Sequence, residues 1–129
     1  MARRISQQDK QRYQKAEQRG KLAELLIFAR YMCHGFLPVK WRYRTRFGEI
    51  DLIVKKHNHI RFIEVKYRAS YNGQDHPISP KQRKRLQRAA LFAYHQFAKN
   101  KDMSCQFDVV IVTKYGKILC YENEVSLMM

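Results

Sequence analysis

Apolar positions change their spacing along this chain, and each change marks an element. From Lys21 onward, Leu22, Leu25, Leu26, Ala29 and Cys33 recur at the interval of one helical stripe, and Gly35 supplies a stop, which predicts a buried stripe on a helix ending near His34. The other side of that helix carries Ile27, Phe28 and Tyr31, with Glu24 among them rather than among lysines. A carboxylate so placed is not simply solvated, and its plainest structural account is an i,i+3 pair with Lys21. Residues 1–19 hold Arg3, Arg4, Lys10, Arg12, Lys15 and Arg19 with little apolar content, and read as a basic tail or a loosely held helix. Residues 20–129 then form a single domain.

The next run, Phe36 to Tyr43, is aromatic and interrupted by Pro38, as suits a strand near a sheet edge. Glu49 to Val54 and Ile60 to Lys66 read as two strands joined by a turn over His57, Asn58 and His59. Turn formers from Ala69 to Ile78, including His76, predict a mobile loop. Ser79 then serves as an N-cap, with Pro80 at the first helical position and Gln82 placed for a capping box. In this second helix Leu86, Ala89, Ala90, Ala93 and Phe97 form the buried stripe. Gln106 to Val112 reads as a buried strand, and Ile118 to Tyr121 as the last one. The order of helix, three strands, helix and two strands predicts an α/β fold, a mixed sheet with helices packed against it.

Composition adds a partner. With 26 Lys and Arg against 11 Asp and Glu in 129 residues, the net charge is +15, and such a surplus concentrates polyanions. Nucleic acid is the expected partner. A membrane surface would call for a lipidation signal or an apolar segment, and none is found, so a cytoplasmic protein is expected. Cys33, Cys105 and Cys120 have no metal-site spacing and read as small core residues.

The acids give the strands a chemistry. Side chains alternate across a strand, so Glu49 and Asp51 share a face of one strand, and Glu64 and Lys66 a face of the next. A two-residue turn at His57–Asn58 sets Asp51 opposite Glu64 and Glu49 opposite Lys66, bringing all four together. A three-residue turn would send Glu64 to the opposite face. Facing carboxylates among Ile50, Leu52, Ile53, Ile63 and Val65 call for a cation between them, and Mg2+ or Mn2+ suits an all-oxygen site. Two carboxylates on a hard metal beside a lysine are what phosphodiester hydrolysis requires. Alone, Glu64 and Lys66 would be no more than a surface ion pair.

The strings Gly48-Glu49-Ile50-Asp51-Leu52-Ile53 and Phe62-Ile63-Glu64-Val65-Lys66-Tyr67-Arg68 resemble the YraN family of uncharacterised predicted endonucleases, in the PD-(D/E)xK, or restriction-endonuclease-like, superfamily. The resemblance extends over Gly20 and Glu24, Lys81-Gln82 and Phe107-Asp108-Val109-Val110. It implies a restriction-endonuclease-like fold similar to archaeal Holliday-junction resolvases. Asp51, Glu64 and Glu24 would be metal ligands, Lys66 the catalytic lysine and Gln82 a polar residue near the site. Ile50 stands where the superfamily's name has proline, and Lys40 where relatives usually have asparagine. Glu49 is an additional acid that pairing with Lys66 or Arg42 would also explain.

Arg42, Arg44, Arg46 and Arg68 flank the acids, and Lys81, Lys84, Arg85 and Arg88 line the second helix, so cations lie on both sides of the expected metal. The expectation is a Mg2+- or Mn2+-dependent DNA endonuclease for structured or branched DNA. The competing readings are a non-catalytic DNA- or RNA-binding module with a vestigial site, and a solubilising charged surface. Likeness to junction resolvases leaves a homodimer open.

Overall fold

The computed structural model describes residues 6–71, 73, 78–100, 102–125 and 127, so the predicted loop histidine, His76, lies outside the described residues. Helix α1 spans Gln7–Cys33 and α2 spans Pro80–Phe97. The strands are β1 (Leu37–Thr45), β2 (Gly48–Lys56), β3 (His59–Tyr67), β4 (Ser104–Val112) and β5 (Ile118–Val125). They form one sheet in the order β1-β2-β3-β4-β5, antiparallel throughout except for the parallel pair β3–β4, which α2 connects. Pro38 thus sits on an edge strand, where its missing N–H disturbs one side of the ladder only.

The sheet is covered on both faces. Ile27, Tyr31 and Ala23 of α1 pack with Leu52, Val54, Ile63, Val110 and Val112, while Leu86, Ala89, Ala90 and Ala93 of α2 pack with Ile53, Ile60, Phe62, Phe107 and Val109. Alternation explains the division, since neighbours such as Phe62 and Ile63, or Val109 and Val110, enter opposite layers. The capping residues before α2 behave as expected, for Ser79 Oγ accepts from the N–H of Gln82 at 3.1 Å.

Of the two readings of the basic segment, the helical one fits its described part: α1 begins at Gln7, capped by Ser6, and runs unbroken through residues 7–19. In its buried stripe α1 departs from the sequence reading. Its buried residues are Ala23, Glu24, Ile27 and Tyr31, whereas Leu22 (66 % exposed), Leu25, Leu26 and Met32 face outward. Two apolar stripes competed, and the one that carries the acid took the sheet, because Glu24 finds partners there and water on the other side demands nothing of leucine. The cysteines also differ from expectation: Cys33 and Cys120 are exposed and Cys105 is half-buried. Among the described residues no helix is long and apolar enough to cross a membrane.

Candidate active site

The β2–β3 turn takes two residues, His57 and Asn58, with His57 in the left-handed region at φ 53°. The pairing is therefore the one that aligns the acids: Lys56 with His59, and onward to Leu52 with Ile63. One step further Asp51 comes level with Glu64, and there the ladder stops. The Asp51 carboxylate, in place of a backbone carbonyl, accepts the N–H of Val65 at 2.8 Å.

A break in alternation causes the parting. Ile50 packs in the α2 layer although Leu52, two residues on, packs in the α1 layer. Beside this break in β1, Arg42 adopts φ 55°, a conformation that side chains with a Cβ rarely take. The strands separate where β2 reverses its faces, and Asp51 fills the gap.

Asp51 and Glu64 lie close enough for each carboxyl group to perturb the other. Burial pushes the Glu64 carboxyl well above its ordinary range, and the charge of Asp51 pushes it further, against the opposing pull of Lys66. Burial likewise raises Asp51, and Glu24 and Glu49 add to that, while the N–H of Val65 works the other way. Lys66 Nζ stands 3.9 Å from Glu64 Oε1, with both side chains nearly buried. Asp51, Glu64 and Lys66 thus meet as the register required.

Glu24 contributes charge from a different attachment. It is 7 % exposed, and its Oε2 accepts from Trp41 Nε1 and from Arg42 Nε, each at 2.9 Å. The expected pairing with Lys21 is absent, because Lys21 turns to Glu17 at 3.7 Å. Glu49 pairs with neither Lys66 nor Arg42. Its partner is Arg44 at 3.3 Å, a pair with an 88 % exposed arginine that contributes little. Gln82 is half-buried in the first turn of α2, and among the described residues no hydrogen bond joins it to Asp51, Glu64 or Lys66. Nor do three His, Cys, Asp or Glu side chains among the described residues converge to hold a metal ion, since Glu24 is turned to Trp41 and Arg42.

The cations divide by attachment. Arg42 lies over Trp41 and on Glu24, and Arg83 is fixed by Glu124 on β5 at 3.1 Å. Arg44, Arg46, Arg68, Lys81, Lys84, Arg85 and Arg88 are exposed. Tyr43 and Phe47 pack against the α2 layer, and Tyr67 against the α1 layer.

Two features escaped the sequence reading. Trp41 as a donor to Glu24 has no signal in spacing, because the contact joins a helix to an edge strand. Asp108, fully buried, accepts from Tyr31 Oη and Gln106 Nε2, each at 2.8 Å, from the N–H of Asn123 at 3.0 Å and from Arg61 at 3.4 Å. Its signal was an acid inside the apolar run Phe107 to Val112.

A three-layered α/β protein, one sheet between two helices, with paired acids and a lysine where two strands part is the class that this geometry defines. Residues 23–112 match the uncharacterised protein family UPF0102. The UPF0102 protein of Brucella canis is 37 % identical over 94 residues, covering 73 % of this chain and 75 % of its own. That of Mesorhizobium japonicum is 37 % identical over 110 residues, covering 85 % and 88 %, and that of Rhodopseudomonas palustris 32 % over 93 residues, covering 72 % of each. The chain belongs to the UPF0102 family.

Proposed function

We propose that this protein is a divalent-metal-dependent endonuclease for structured or branched DNA, built on a restriction-endonuclease-like sheet similar to that of archaeal junction resolvases. The observation that carries the reading is the burial of Asp51 against Glu64 beside Lys66. Two abutting carboxyls in a half-buried gap must either hold a proton or hold a cation, and an all-oxygen pair suits Mg2+ or Mn2+. The donor set therefore fits a hard cation, with Asp51 and Glu64 as the residues that would hold it and Glu24 as a third once released from Arg42. Such an ion, when bound, polarises a phosphoryl oxygen and lowers the pKa of a coordinated water.

The chain's own residues supply the rest. Asp51 is held by the N–H of Val65, which engages one carboxylate oxygen and leaves the other for a ligand. Lys66, its Nζ 3.9 Å from Glu64 Oε1, would supply an ammonium to stabilise the charge that builds up on a phosphate under attack. Exposed Arg44, Arg46 and Arg68, around the ends of β1 and β3, and Lys81, Lys84, Arg85 and Arg88 on α2 suit contact with backbone phosphates. Such contacts favour recognition by shape rather than by base sequence.

One observation favours a second reading. The hold of Trp41 and Arg42 on Glu24 leaves two acids rather than three at the gap, as in a nucleic-acid-binding module whose site is vestigial. Cleavage of four-way junctions, flaps and duplexes with Mg2+ or Mn2+ separates the two. The native chain is expected to cut a branched substrate, and Asp51→Ala, Glu64→Ala and Lys66→Ala to bind it and not cut. Equal binding by all four proteins with cutting by none assigns the module instead.

A further inference from the structure

On the α1 side of the sheet, a cleft of about 710 Å3 opens between the C-terminal half of α1 and the β2–β3 turn. Its size lies in the range of sites that take a small organic ligand, about 300–1,000 Å3. Ile27, Tyr31, Phe36, Val110 and Ile118 make an apolar floor. The rest of the lining is largely basic, with Arg30, Lys56 and Arg61 and the imidazoles of His34, His57 and His59.

These cations are held in place and only partly neutralised. Lys56 Nζ lies 5.5 Å, and Arg61 Cζ 5.0 Å, from the centroid of the Phe36 ring, so one aromatic wall fixes both. Lys56 also donates to the carbonyl of His34 at 2.8 Å. Gly35 makes this approach feasible: at φ +92°, a Cβ there would meet Lys56 Cε at 3.2 Å. The single acid in the lining is exposed Glu122, which stands 3.7 Å from Arg61. Asp108 already has four donors. Among the described residues neither Arg30 nor Lys56 has a carboxylate partner.

We propose that this cleft binds a phosphomonoester of mononucleotide size, its ring-bearing body on the floor around Phe36 and its phosphate between Arg30 and Lys56. Unpaired cations over an apolar floor call for a ligand that is anionic at one end and flat and apolar at the other. The cleft is separate from the acidic gap. Arg61 follows the alternation of Ile63 toward α1, whereas Glu64 follows that of Phe62 toward α2, about 10 Å further along β3. Its ligand is thus a free nucleotide or the phosphorylated end of a strand, and the proposal stands whether or not the gap cleaves DNA.

Calorimetric titration of the full chain tests it, with AMP, a 5′-phosphorylated tetrathymidylate, the same oligonucleotide lacking that phosphate, inorganic phosphate and adenosine as probes. AMP is expected to bind with a dissociation constant below about 1 mM, and adenosine and inorganic phosphate at least about tenfold more weakly. The double variant Arg30→Ala/Lys56→Ala should lose at least about tenfold in affinity, and Lys114→Ala, which removes a cation elsewhere on the surface, should lose none. Binding of the phosphorylated oligonucleotide, but not of AMP or the unphosphorylated form, supports the cleft and identifies a strand end as its ligand. If inorganic phosphate binds as tightly as AMP, or if the double variant binds every probe as the native chain does, the proposal is overturned. No saturable binding by either phosphomonoester overturns it as well.

Discussion

Asp51 and Glu64 carry an acid–base signature that can be measured without substrate. Both carboxyls titrate above their ordinary values, so the native chain retains a proton that the unfolded chain releases. The stability this adds is complete below the ordinary carboxyl range and is lost as pH rises through the raised values. Thermal unfolding in chelator should therefore show a falling melting temperature from about pH 5 to pH 8, and Glu64→Gln should flatten that slope. Adding Mn2+ should restore stability at the alkaline end, where the proton no longer competes. A slope unchanged by Glu64→Gln would place the titration elsewhere. Arg42 invites a second substitution: Arg42→Gln removes a charge-assisted hydrogen bond from nearly buried Glu24 and should cost about 1.5–3 kcal/mol by urea denaturation.

At the scale of elements, the two stripes of α1 make a direct comparison. Leu25→Gln and Leu26→Gln should change stability by no more than about 0.5 kcal/mol, whereas Ile27→Ala, in the buried stripe, should cost about 2–5 kcal/mol. The reverse order would show that the outward leucines are covered in solution. This pair also marks what could be read beforehand. The strands, the N-cap of α2 and the two possible β2–β3 registers, one of which the structure adopts, were legible, because capping, turn length and period-two patterning act over a few residues. Which face of α1 is buried was not, since both faces are apolar and the choice depends on Trp41 and Arg42, seventeen and eighteen residues away from Glu24. The site divides in the same way. Asp51, Glu64 and Lys66 followed from alternation, while the partners of Glu24 and Glu49 are contacts between elements that spacing does not encode.

For the whole molecule, a charge of +15 acts through counterions. If roughly five phosphates are contacted, log affinity for duplex DNA should fall against log salt with a slope near about −4.5. Replacing exposed Lys84, Arg85 and Arg88 with alanine should reduce the slope by about one for each cation, measured by fluorescence anisotropy over a salt series. An unchanged slope would remove α2 from the binding surface.

The burial of α1 starts only at Ala23, and the part before it stands clear of the sheet. Sixteen helical residues make a strut about 24 Å long, which matches roughly seven base pairs of duplex. Arg12, Lys15 and Arg19 line one side of it. A rigid arm loses less freedom on docking than a floppy extension of equal charge, so under the proposed function it would act as an outrigger, steadying the nucleic acid well away from the globular body.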